Sequence, residues 1–254
     1  MRPFLFFGMM AVATAPSAIA AEQRFSSGEN RVALIELYTS EGCSSCPPAE
    51  RWLASLRDAP GLWRDFVPLE FHVNYWDRLG WPDRFASREG TQREYDHATA
   101  WNSGSVYTPC FVRDGAEWRG SGKNVEPSKE KAGVLTLAIA GGKNLRVEFT
   151  PAKMTGGGSG ALDVHVALLG SGFTSRVTAG ENRGETLRHE FVVLAFNRSA
   201  LVAGSAGTYG AEFTLPQAKI TDAPRLAVAA WVTRRGQLPP LQATGGWLNP
   251  MGDG

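Results

Sequence analysis

Long apolar runs are scarce in this 254-residue chain. Beyond the N-terminus no stretch approaches the roughly 20 apolar residues that a membrane-spanning helix needs, so no span is expected in the mature chain. An excess of one charge sign is also lacking: 26 Lys and Arg stand against 25 Asp and Glu, a formal net charge of +1. With neither a basic bias nor a basic stripe, a nucleic-acid partner is not expected. Cysteine is sparse, three residues in all, too few for a disulfide-stapled scaffold and more suggestive of chemistry. No G-x-S-x-G, H-E-x-x-H, Walker A or G-x-G-x-x-G run occurs, which leaves those hydrolase, zincin, ATPase and dinucleotide readings without local support.

What is present begins with Arg2, an apolar core from Phe4 to Ala15, and the small-residue site Ala18-Ile19-Ala20. This reads as a secretory signal peptide over residues 1–20, and predicts an exported chain in an oxidising compartment. The strongest signal follows. Cys43-Ser44-Ser45-Cys46 closes the apolar run Val32–Tyr38 and precedes Ala49, Trp52, Leu53 and Leu56 at helical spacing. Strand, turn, two cysteines and helix are the context of a redox dithiol. A cysteine at the first turn of a helix sees unpaired N–H groups and the positive end of the helix dipole, which stabilise a thiolate. Cys43, placed at the helix N-terminus, is therefore the expected nucleophile, and Cys46, one turn inside, the resolving thiol. Glu36 is a third catalytic candidate: burial in the strand would raise its pKa and let it shuttle protons for Cys46, unless it faces solvent at a sheet edge.

Periodicity predicts strands over 31–39 and 66–73, joined in parallel by the cysteine helix, which ends near Asp58. A polar helix is expected over 87–101, a strand over 106–112, a hairpin turn at Arg113-Asp114-Gly115-Ala116, a short strand near Trp118 and a helix over about 126–140. Gly141-Gly142 marks the expected boundary. Beyond it, Leu145–Thr150, Ala161–Leu169, Thr186–Phe196, Tyr209–Leu215 and Arg225–Thr233 read as strands of a sandwich. His165 and His189 read as strand residues without partners. The expectation is an α/β thioredoxin-like domain over 31–142, followed by an all-β, sandwich-like domain over 143–250.

The segments Leu34–Ala49, Phe71–Asp77, Leu79-Gly80-Trp81 and Val106–Pro109, with Glu181-Asn182-Arg183-Gly184, resemble a family of uncharacterised secreted bacterial proteins, domain of unknown function 1223. The resemblance implies a thioredoxin-like fold and a Gram-negative envelope setting, periplasmic or secreted, and brings no established substrate. Likeness to thioredoxins makes Pro109 a candidate cis-proline facing the cysteines, with the Thr108 backbone placed to pair with an extended substrate. Where the family pattern leads one to expect Gln after Thr-Pro, this chain has Cys110. That residue is either a third thiol of the site or a buried cysteine acting as a small hydrophobe. Tyr75, Trp76 and Trp81 form either a substrate-binding surface or core.

The leading reading is an exported thiol–disulfide oxidoreductase that uses Cys43 and Cys46 on a protein or small-thiol substrate, without a bound organic cofactor. An alternative is copper handling, with Cys43, Cys46 and either Cys110 or His72 as Cu(I) ligands. A third is a binding protein whose cysteines only staple a turn.

Overall fold

In the computed structural model, which describes residues 22–120, 122, 124–152 and 160–249, the apolar run after Val32 forms a strand buried along its whole length. The expected signal peptide over 1–20 lies outside the described residues. In chain order the main elements are β1 (Gln23–Ser26), β2 (Ala33–Thr39), α1 (Pro47–Ser55), β3 (Phe66–His72), α2 (Arg88–Ala100), β4 (Cys110–Arg113), β5 (Ala116–Glu117) and β6 (Gly133–Ala140). There follow β7 (Asn144–Pro151), β8 (Leu162–Ser171), β9 (Phe173–Arg176), β10 (Thr186–His189), β11 (Val192–Ala203), β12 (Tyr209–Thr214), β13 (Arg225–Arg234) and β14 (Pro240–Trp247).

The first half largely follows its pattern. β2 and β3 pair in parallel, and α1 covers one face, packing Ala49 and Leu53 with Ala33, Ile35, Leu37 and Phe66. Replacing fully buried Leu53 by alanine would cost about 2–5 kcal/mol. Pro47 and Pro48 fill the first turn of α1, where a missing N–H costs the helix nothing. α2 starts at Ser87, whose Oγ accepts from the Gly90 N–H at 2.9 Å. It lies on the opposite face of β2, with His97 edge-on to Tyr38. Asp114 and Gly115, at φ 52° and 85°, form the expected hairpin turn between β4 and β5.

The expected α/β thioredoxin-like domain with its helical layer, followed by a separate sandwich, does not form. Twelve of the described strands join one mixed sheet in the order β1-β6-β7-β12-β11-β3-β2-β4-β5, with β8 paired to β11, β13 to β8 and β14 to β13. Two features cause the difference. Residues 126–140 contain no helix: 133–140 form β6, whose Leu135, Leu137 and Ile139 alternate into the core. Gly141-Gly142, at φ 57° and 73°, turns β6 into an antiparallel hairpin with β7. Further on, Val192 of β11 pairs in parallel with Glu70 of β3 and antiparallel with Gly170 of β8. One strand thereby carries the sheet from the cysteine half into the C-terminal half.

There the inward residues of β6 and β7 meet those of β8 and β13, enclosing Leu135, Leu137, Phe149, Val164, Val166 and Val232. Each such side chain contributes about 1.5–3 kcal/mol on burial. β9 and β10 form a two-stranded ribbon whose connecting loop reaches back to the cysteine turn.

Candidate functional site

Cys43 and Cys46 are joined by a disulfide. Helix α1 begins only at Pro47, so Cys46 is its N-cap and Cys43 lies in the preceding turn, accepting from the Cys46 N–H at 3.2 Å. This corrects the expected position of Cys46 one turn inside the helix. The expected free N–H groups are absent too. Pro47 and Pro48 have none, and the N–H groups of Ala49 and Glu50 both donate to the Cys46 carbonyl, at 2.9 and 3.1 Å. What remains for a thiolate is the dipole, about 0.3–1 kcal/mol, and the Ser45 hydroxyl, whose Oγ lies 3.4 Å from Cys43 Sγ.

Both cysteines are 0 % exposed, while Ser44 and Ser45 reach solvent. The turn is clamped from the β9–β10 loop. Asn182 Nδ2 donates to the carbonyls of Glu41 and Cys43, each at 2.9 Å. Glu181 Oε2 accepts from the Ser44 N–H at 3.2 Å and its hydroxyl at 2.7 Å.

The Thr108–Pro109 peptide is cis. Pro109 shares a groove of about 530 Å³ with Ser45, Pro48, Trp52, Tyr107 and Trp118, so the start of α1 and the proline loop face one space. Tyr75, Trp76 and Trp81 do not line it. The Trp76 N–H donates to Thr108 Oγ1 at 2.8 Å, that of Trp81 to Glu41 Oε2 at 2.7 Å, and the Tyr75 hydroxyl to Glu94 Oε2 at 3.2 Å. They brace the cysteine turn and the proline loop from within. The aromatic wall is supplied instead by Trp52 and Trp118, 5.3 Å apart between ring centres. Cys110 is buried and unbonded in the core beside Tyr38 and Val112, and borders a different cavity with Glu94 and Trp101. Burial pushes its thiol up to about 12.

Glu36 is buried, but its pKa moves opposite to expectation. Burial pushes the carboxyl up, yet Arg93 and His97 outweigh it and hold it well below the usual carboxylate range. Arg93 donates through Nε and Nη2 at 2.5 and 2.9 Å, and the Tyr38 hydroxyl donates at 2.8 Å. A carboxylate so held is an anion at neutral pH rather than a proton carrier.

A second ionisable layer lies on the α1 face of the sheet. Glu70 and His72 are two apart on β3 and so project together. His72 Nε2 is 2.7 Å from Glu70 Oε1 and its Nδ1 2.6 Å from Asp83 Oδ2. His189, at the end of β10, sets Nδ1 3.1 Å from the same Glu70 oxygen and Nε2 3.1 Å from Glu41 Oε1. Burial pulls both imidazoles down, but the carboxylates outweigh it: His72 is held well above its ordinary value and His189 at about 9. Each ring thus has a carboxylate oxygen facing both of its nitrogens. Glu50, one helical turn beyond Cys46, accepts from Thr39 Oγ1 at 2.6 Å. Burial first, then the charge of Glu70, pushes its carboxyl up to about 7.

His189 thus has partners that its strand pattern did not reveal. His165 hydrogen-bonds Thr233 at 3.0 Å and stacks between Phe196 and Trp231. The proposed copper set is not assembled: Cys43 and Cys46 are bonded to each other, and both nitrogens of His72 face carboxylates. Among the described residues, the grouping with metal-ligand spacing is Glu70, His72 and His189.

A family model described as "Protein of unknown function (DUF1223)" matches residues 34–233, from β2 into β13. The chain belongs to this family. The DUF1223 match takes in both the cysteine turn and its Glu181-Asn182 clamp. Among solved structures, the crystal structure of protein AGR_C_4864 from Agrobacterium tumefaciens is 22% identical, with a TM-score of 0.51 over 89% of this chain and 98% of that one. HBP35 of Porphyromonas gingivalis is 13% identical, with a TM-score of 0.56 over 87% of this chain and 76% of that one. Both likenesses concern the fold alone. No curated protein matches the chain. Among the described residues, no helix is long and apolar enough to cross a membrane.

Proposed function

We propose that this DUF1223 protein is an exported thiol–disulfide oxidoreductase acting through Cys43 and Cys46. The observation that supports it is the disulfide at the start of α1, set beside a groove that Pro109 shares. In the reducing direction, Cys43 loses its proton to water and its thiolate attacks a substrate disulfide. A Cys43–substrate bond forms and one substrate thiolate leaves. The Cys46 thiolate then attacks Cys43 Sγ, closing the protein disulfide and releasing the second substrate thiolate. Two electrons pass from protein to substrate, and the reverse sequence oxidises a substrate dithiol. An extended peptide in the groove would lie along Pro109, Trp52 and Trp118. Both sulfurs are buried, so exchange requires the cysteine turn to open.

The reducing direction is favoured by the same geometry. A strong oxidant owes its potential to a stabilised reduced form, whereas here the helix terminus offers a thiolate no free N–H, and Glu41, Glu50 and Glu181 surround the turn. The expected midpoint lies below that of a strong oxidant, about −120 mV.

A second reading, a structural staple, is favoured by one observation: neither cysteine has any exposed surface. One titration separates the two. The protein is equilibrated across graded thiol–disulfide buffers, its thiols are trapped with a mass tag, and Cys43→Ser and Cys110→Ser are run beside it. A two-thiol transition lost in Cys43→Ser and kept in Cys110→Ser supports exchange. A pair that stays oxidised below about −300 mV is a staple.

A further inference from the structure

We propose that Glu70, His72 and His189 form a buried site for one divalent transition-metal ion, with Glu50 as the fourth ligand. The donor atoms of the three central residues lie within 4.8 Å of one another. Donors arranged tetrahedrally about 2.1 Å from an ion stand about 3.4 Å apart. The observed 2.7 and 3.1 Å from Glu70 Oε1 to the two rings, and 3.8 Å from Glu50 Oε2 to His189 Nδ1, bracket that spacing.

Two observations point to an ion rather than to a closed hydrogen-bond network. First, Glu70 Oε2 is buried and has no hydrogen-bond partner among the described residues, although Oε1 of the same carboxylate serves both rings. A buried carboxylate oxygen without a partner is costly, and an ion bridging into the space would satisfy it. Second, the outer nitrogen of each histidine already faces a carboxylate, Asp83 for His72 and Glu41 for His189. That carboxylate–histidine arrangement orients and strengthens an imidazole ligand. Two imidazoles with carboxylates, and no thiolate, suit a borderline ion such as Zn²⁺.

The site does not rest on the thiol reading, because both cysteines are tied up in the disulfide. The residues come from β3, α1 and β10, so the site would also tie the first half to the second.

The test uses the protein with its disulfide closed and Cys110→Ser in place, stripped with a chelator and refolded with Zn²⁺ so that burial does not bar entry. Competition against a chromophoric chelator is expected to give one Zn²⁺ per chain. His189→Gln and Glu70→Gln should abolish stoichiometric binding. Glu41→Gln, which removes only the orienting carboxylate, should weaken it about 10- to 100-fold. Should the Glu70 variant fail to fold, Glu50→Gln serves in its place: an amide keeps the Thr39 hydrogen bond, and affinity should still fall. Folded protein that takes up no stoichiometric Zn²⁺, or uptake that survives His189→Gln, overturns the proposal.

Discussion

Glu50 offers a quantitative test of the buried layer. In the metal-free protein its carboxyl sits at about 7, against an ordinary 4.5, a difference equivalent to about 3 kcal/mol at about 1.4 kcal/mol per pH unit. The sign follows from proton counting. Below pH 4.5 the folded and unfolded chains both hold the proton, and Glu50 makes no difference to stability. Between 4.5 and 7 the unfolded chain gives its proton up while the folded chain keeps it, so stability falls as pH rises. Above 7 both forms are ionised and the penalty is constant. Glu50→Gln removes the titration while keeping an oxygen for the Thr39 hydroxyl. Urea unfolding of both proteins with a chelator present, from pH 4 to pH 8, should therefore show the variant gaining on the wild type by about 3 kcal/mol across that window. Glu94, also raised to about 7, titrates in both proteins and cancels in the difference. A difference that is flat with pH, or that slopes the other way, refutes the description of this layer.

Two other perturbations follow from the same geometry. Arg93→Ala leaves Glu36 buried without its guanidinium partner, beside only Tyr38 and His97, and should cost about 3–5 kcal/mol in denaturant unfolding at pH 7. Because Glu36 is held low, that cost should shrink as pH falls below 4.5, and the joint change Arg93→Met with Glu36→Leu should recover most of it; a cost under 1 kcal/mol at pH 7 counts against the pairing. Glu181→Ala removes an exposed hydrogen-bonded contact to Ser44. Reduction by dithiothreitol should then quicken by about 2- to 10-fold, and an unchanged rate would mean that the loop does not limit access.

The sequence discloses the elements around the cysteines well, because each is local: an apolar run, two prolines at a helix start, Ser87 as a cap, and Asp114-Gly115 as a turn. It misleads over 126–140. Leu135, Leu137 and Ile139 have period 2, yet the helix formers around them and the expected α/β order favour a helix until β7 supplies a partner. The buried ionisable layer is hidden for a different reason. Glu70 and His189 are 119 residues apart and meet only because β11 enters the sheet beside β3, a pairing that no local pattern encodes. Glu36 is conspicuous as an acid in an apolar strand, but its partner Arg93 lies 57 residues away. Glu50 is the acid a local reading should have found, since it falls one turn after Cys46 on the face that carries Ala49 and Leu53.

The Asn182 clamp also sets a timetable. Its amide reaches the Cys43 carbonyl from 139 residues further along the chain, and chains fold largely as they emerge, N-terminal part first. For most of its synthesis, the cysteine turn therefore exists without the loop that clamps it. An oxidant or metal ion has its easiest access to this half during that interval, before β9 and β10 arrive. The arrival of β9 and β10 then fixes the turn through the Asn182 and Glu181 contacts.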